Sequence, residues 1–223
     1  MLKKIAPLAV VLLLVMSGTA NAYTVNYNYT AIGSEMTSPY FVTVEDFNDA
    51  TLVWTWTGSY ALVSGSQSGW YAAPAGVSGV PDASQYVSIP NQSSNGNGSV
   101  LVTDLPVSNY FGLWWGSMDT YNTFSFYNGD TWVASVTGSD VAVGNIANGN
   151  QTAPSTNHYV NFLDLPEFNR FSISSTSFAF EADNIAIGYD PGPAPPAVPE
   201  PTSLLLLGTG LGALGLAAWR KRK

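Results

Sequence analysis

The chain has 223 residues, with 7 Lys and Arg against 15 Asp and Glu, one His, no Cys and a formal charge of −8 at pH 7. The absence of Cys excludes a disulfide framework, and a single His excludes a metal site built on several imidazoles. Between residues 23 and 190 Arg170 stands alone against fourteen carboxylates, a formal charge of −13. That balance repels nucleic acid and anionic lipid and favours divalent cations.

Taken from the start, Lys3 and Lys4 form a positive n-region, residues 5–16 an apolar h-region, and Ala20-Asn21-Ala22 an A-x-A cleavage site. This pattern predicts a signal peptide over 1–22, handled by the Sec export machinery, and a mature chain beginning at Tyr23. Residues 23–190 then make one domain, long enough to bury a core without metal or disulfide support.

Within that domain the dominant period is two. Tyr23, Val25, Tyr27 and Tyr29 alternate with small or polar residues, as do Leu52, Trp54 and Trp56, then Trp132, Ala134 and Val136, then Phe178, Phe180 and Ala182. Further strands are predicted at 40–44, 86–89, 100–103, 110–115, 123–127, 141–143, 159–163 and 170–173. Turn signals such as Asn128-Gly129-Asp130 and Gly138-Ser139-Asp140 separate them. No helical stripe competes, so the expectation is an all-β, antiparallel, jelly-roll-like β-sandwich. Two Gly/Ser/Asn-rich stretches, 64–79 and 91–98, read as long loops that are either functional or mobile.

The chain ends in three parts. Residues 191–201 form a linker with proline at 191, 193, 195, 196, 199 and 201, a semi-rigid polyproline spacer. Residues 202–223 hold an apolar run from Leu204 to Trp219 and then Arg220-Lys221-Arg222-Lys223. At ~1.5 Å per residue that run gives roughly 24 Å of transmembrane helix, slightly short of a ~30 Å hydrocarbon core. The terminal cations belong on the cytoplasmic side, which places the domain outside the inner membrane. Gly208 and Gly212 satisfy G-x-x-x-G, but a general richness in small residues is the expected reason for them rather than dimerisation.

The order of Val198-Pro199-Glu200-Pro201, apolar span and basic end resembles the PEP-CTERM sorting signal of bacterial surface proteins. The resemblance implies an inner-membrane-anchored precursor, an exosortase-type sorting protease as partner, cleavage at or near 198–201, and delivery to the cell surface or extracellular matrix. Residues 110–129, with 159–162 and 178–185, resemble the core strands of one family of exosortase-dependent surface proteins. That family is defined by destination more than by activity.

The chemistry of the domain leaves two readings open. Tyr110, Trp114, Trp115 and Tyr121 could stack on sugar rings, a lectin-like module holding exopolysaccharide, or alternate members of the segment could be core. In the alternating view Phe111, Leu113 and Trp115 face one way and Tyr110, Gly112 and Trp114 the other. Asp119 and Asn122 are expected to bond backbone amides in the following turn. Val44-Glu45-Asp46-Phe47-Asn48 and residues 180–185 resemble the terminal strands of carbohydrate-binding and MAM-like jelly rolls, which implies that Glu45, Asp46, Asp183 and Asn184 share a structural Ca²⁺ if their strands are neighbours.

Signatures of catalysis are missing. Gly65-Ser66-Gln67-Ser68-Gly69 has Gln67 where a nucleophile elbow needs Ser, and any Ser-His-Asp triad would depend on His158. Paired carboxylates for glycoside hydrolysis depend on spatial separation, which a sequence does not give. The expectation is a non-enzymatic surface protein with no required cofactor.

Overall fold

The computed structural model describes residues 24–28, 42–76, 78–141, 147 and 150–192. The expected signal peptide, with its cleavage site at Ala20 and Ala22, and the expected sorting segment, with Val198, Pro199, Glu200 and Pro201, lie outside the described residues. The chain divides into two units, Met1–Asp190 and Pro191–Lys223, and the first carries the fold described below.

That unit is all-β, as the period-two patterning predicts, and has two antiparallel sheets. The strands are β1 (Thr24–Asn28), β2 (Val42–Glu45), β3 (Thr55–Gly58), β4 (Ala61–Ser64), β5 (Gln85–Ile89), β6 (Gly98–Thr103), β7 (Tyr110–Gly116), β8 (Asn122–Asn128), β9 (Thr131–Thr137), β10 (His158–Leu163), β11 (Arg170–Ser175) and β12 (Phe180–Gly188). The larger sheet runs β1-β10-β7-β12-β5-β4, and the smaller runs β3-β6-β11-β8-β9. β12 pairs with β7 along one side, while its other side is shared by β5 at Phe180 to Ala182 and β2 at Ile185 to Gly188.

One apolar cluster joins the two sheets. Phe111, Leu113 and Trp115 of β7 meet Phe180 and Ile187 of β12, Phe162 of β10, and Phe124, Phe126, Phe171 and Ile173 of the smaller sheet. Phe111 lies edge-on to Phe124 at 5.2 Å and to Phe171 at 4.9 Å, and Trp115 stacks on Phe180 at 4.9 Å. These are the offset and edge-to-face arrangements that ring quadrupoles favour. The alternation within β7 therefore falls as the sequence indicates, with Phe111, Leu113 and Trp115 in this cluster.

Three local expectations change. Residues 138–141, the last of which the patterning places in a strand, form a single helical turn, α1 (Gly138–Val141). The Asp140 carboxylate accepts both the backbone N–H and the hydroxyl of Thr137, at 2.8 and 2.7 Å, a capping interaction that closes a turn rather than extending β9. β4 has no alternation to announce it, since Ala61, Leu62 and Val63 are all half-buried. The stretch 64–79 is loop beyond Ser64, the last residue of β4, but it is anchored: Ala72, Ala73 and Ala75 are buried. Pro74 lies against Gly116, where an added Cβ would meet it at 3.0 Å, so glycine in β7 is what lets this segment lie on the sheet.

Candidate functional site

The end of β7 opens into a polar cleft of about 300 Å³ lined by Ser117, Asp119, Tyr121, Gln151, Phe178 and Glu181. Three segments build it. β12 supplies Glu181, opposite Gly116 of β7. The turn between β7 and β8 supplies Ser117, Asp119 and Tyr121, and the segment before β10 supplies Gln151.

Asn157, buried among these segments, fastens them. Its Oδ1 accepts the amides of Ala75 and Ser117, each at 3.0 Å, and its Nδ2 donates to the carbonyls of Gln151 and Ala153 at 2.9 and 3.0 Å. With Thr156 Oγ1 a further acceptor of Nδ2 at 3.2 Å, every hydrogen-bonding position of one buried amide is thus used, which is the arrangement that burial of a polar side chain demands. Ser117 itself sits at φ 49°, a left-handed backbone that turns the chain out of β7.

Glu181 is 1% exposed. Its Oε1 accepts the Ala72 amide at 2.8 Å, whereas Oε2 is buried with no hydrogen-bond partner in the structure. Burial, reinforced by the Asp119 carboxylate, holds its pKa well above the usual carboxylate range. The Tyr121 hydroxyl lies 2.7 Å from Asp119 Oδ2 and 3.1 Å from the Phe178 carbonyl. Burial and then the neighbouring Asp119 push the phenol upward as well.

A second carboxyl pair lies along the same strand. Ser84 donates its hydroxyl to Asp82 and also lies 3.4 Å from Asp183 Oδ2. Burial, then the contact with Asp82, pushes Asp183 up to about 9. Burial also works to raise Asp82, but the Ser84 hydroxyl and amide and the Asp183 carboxyl together hold it below its ordinary value. One proton shared between two acids accounts for the opposite directions.

The residues singled out for stacking and for calcium fall elsewhere. Tyr110, Trp114 and Trp115 are at most 1% exposed and offer no ring face to solvent. Tyr110 and Tyr159 carry their hydroxyls over Gly112, and Tyr110 donates to Asn161 Oδ1 at 2.7 Å. Tyr121 is half-buried with its hydroxyl engaged, so sugar stacking on this set is replaced by packing. The Asp119 carboxylate meets a tyrosine hydroxyl, and Asn122 accepts from Ser175 at 3.0 Å.

The condition set for calcium, that β2 and β12 be neighbours, is met. The four side chains nonetheless do not converge. Glu45 is opposite core residue Ile185, and both its oxygens accept backbone amides, Phe47 at 3.1 Å and Val53 at 2.6 Å. Asp46 is exposed, Asp183 is opposite Trp114 and bonded within the Ser84 pair, and Asn184 turns at φ 47° with its amide on Asp183 Oδ1. Among the described residues no three His, Asp or Glu form a group that could hold a metal ion. Sequence reasoning missed Asn157, Asp82 and the role of Glu181, whose partners are remote along the chain.

The C-terminal end carries the decisive likeness. A family described as the PEP-CTERM protein-sorting motif matches residues 197–223, covering the Pro-Glu-Pro box, the apolar run and the basic terminus. The chain carries a PEP-CTERM sorting domain. The motif implies exosortase-dependent sorting of an exported chain, anchored at the membrane before it reaches the surface. Comparison with the curated proteins and with the solved structures gives no match.

Proposed function

We propose that this protein is a non-enzymatic component of the cell surface or extracellular matrix, a jelly-roll sandwich released there by an exosortase-type protease. The observation that carries this reading is the PEP-CTERM motif at 197–223. The jelly-roll assignment rests on strand order: β5, β12, β7 and β10 are consecutive in one sheet and β6, β11, β8 and β9 in the other. That is the alternation two interlocked Greek keys produce.

Buried tryptophans support a scaffold role over glycan stacking, because Trp114 and Trp115 are used to fill the domain. The test is processing. Intact mass of the surface-extracted protein is expected to end at or near Val198 to Pro201, and replacing Pro199, Glu200 and Pro201 with Ala should leave a heavier, membrane-retained form. A native surface protein still carrying Arg220 to Lys223 overturns the reading.

A further inference from the structure

The cleft at the end of β7 has a property that scaffold packing does not explain. Glu181 is enclosed to 1% exposure, yet one of its oxygens, Oε2, faces no donor while the residue lines a polar space of about 300 Å³. A buried acceptor without a donor is destabilising, and more so when the group is charged. The side chain is not there for want of an alternative, since its neighbours in β12, Phe180 and Ala182, show how apolar this strand is elsewhere.

The polar residues that line the cleft with Glu181 all carry oxygen, and none carries a positive charge. Among the lining residues Asp119 has a carboxylate, Ser117 and Tyr121 have hydroxyls and Gln151 a side-chain amide, and the Phe178 carbonyl accepts from the Tyr121 hydroxyl at 3.1 Å. No Lys or Arg approaches: Arg170, the only one between residues 23 and 190, is bonded to Asp130 at 2.6 Å in another part of the domain. Hard oxygens, two close carboxylates and a strongly negative domain select a hard cation over a sugar or an anion.

The geometry points to a divalent-cation site, of calcium type, held by Asp119 and Glu181 with neutral oxygens from Ser117, Gln151 and the Phe178 carbonyl. This goes beyond the sorting and scaffold reading and does not depend on it. It is also distinct from the β2–β12 edge, where Glu45 spends both oxygens on amides. Calcium fits better than magnesium, because Ca²⁺ accepts six to eight oxygens of mixed kind in loose geometry, whereas Mg²⁺ demands a near-ideal octahedron. Two carboxylates rather than three or more put the affinity in the extracellular range of about 10⁻⁴–10⁻³ M. The ion would tie the β7–β8 turn to β12 and to the segment carrying Gln151, and Asn157 already fastens the first of these to the last.

The test uses the full-length chain in a non-ionic detergent, with Tb³⁺ as a luminescent stand-in for Ca²⁺. Tyr121, whose hydroxyl touches Asp119, is placed to sensitise the ion. Tb³⁺ emission excited through the aromatics is expected, displaced by CaCl₂ at about 10⁻⁴–10⁻³ M and not by equal MgCl₂. Glu181→Gln keeps an acceptor for the Ala72 amide, so it should fold, and both it and Asp119→Asn should weaken binding by more than about tenfold.

The unmodified chain should also melt at a temperature rising with log Ca²⁺ concentration, which holds as a check if either variant misfolds. Absence of sensitised emission and of a calcium-dependent melt in the unmodified chain overturns the proposal. So does equal displacement by magnesium, or unchanged binding in a folded Glu181→Gln chain. Loss of binding in Glu45→Gln with Glu181→Gln unaffected would place the ion at the β2–β12 edge instead.

Discussion

Truncating Trp115 to Ala tests the core at its centre. The indole is fully buried, stacks on Phe180 at 4.9 Å with an 11° interplanar angle, and stands edge-on to Phe124 at 5.2 Å. Removing a large buried aromatic costs about 3–5 kcal/mol through lost transfer energy and the cavity left behind. One contribution works the other way: Trp115 Nε1 is buried with no hydrogen-bond partner in the structure. The native state therefore already bears a desolvation penalty of about 1–3 kcal/mol that any substitution lacking the N–H relieves.

The net expectation is a loss of about 3 kcal/mol for Trp115→Ala, near the lower end of the range. Trp115→Phe retains a ring over Phe180 and should lose no more than about 1 kcal/mol. For a domain of this size these correspond to melting-temperature drops of about 6–12 °C and under about 4 °C. Urea denaturation followed by far-UV circular dichroism measures both. A Trp115→Ala chain within about 1 kcal/mol of the unmodified protein would refute the placement of β7 at the centre of the core. A loss well above about 1 kcal/mol for Trp115→Phe, which keeps the ring but not the N–H, would show that the indole N–H has a partner.

Two glycines and one acid give further tests. Gly112→Ala should destabilise and break the Tyr110–Asn161 bond, because an added Cβ would collide with the Tyr110 hydroxyl and lie 2.7 Å from that of Tyr159; a variant melting with the unmodified chain would contradict the packing. Gly138→Ala should be more damaging, since its Cβ would run into the Asp119 backbone carbonyl rather than a side chain, and a thermal melt decides it. Asp183 stays protonated in the folded chain up to about 9 and ionises near its ordinary value of 3.8 when unfolded, so its contribution is greatest at low pH and is lost as pH rises toward 9. In the presence of a chelator the unmodified chain should lose about 2 kcal/mol more than Asp183→Asn between pH 7 and 9, a window above the titration of His158, and parallel profiles would refute the shared proton.

The strands were legible because their signal is local. Period-two runs such as Phe111, Leu113 and Trp115 need only their own sequence to declare a buried face, and β5 to β12 fall close to where that pattern places them. β4 escaped because a strand at the sheet edge, half-buried at Ala61, Leu62 and Val63, has no alternation to display. The turn at Gly138–Val141 was legible in Gly138-Ser139-Asp140 and missed only in its reach to Val141, because what closes it is a side chain, Asp140, folding back on Thr137. The candidate site was least legible of all. Glu181 and Ala72 are 109 residues apart and Asn157 and Ala75 are 82 apart, and no motif spacing encodes contacts made only when the sheet closes.

The position of β12 bears on export. In a chain that crosses the membrane from its N-terminus, the strand ending at Gly188 is the last of the domain to emerge, yet it lies inside the larger sheet, with β7 on one side and β5 and β2 on the other. Until it arrives, β7 has an open edge, and Phe111 and Trp115 lack the Phe180 and Ile187 side chains that cover them. Folding on the outer side thus waits for nearly the whole domain to cross, and the pairings that finish it are long-range and slow. The Pro199-Glu200-Pro201 box follows β12 after only ten residues, 189–198. Under the proposed processing, the strand that completes the sheet and the box at which the chain is cut therefore emerge almost together, and a cut made before β12 has inserted would set free a chain with an open sheet edge, the form most prone to pair with its own copies.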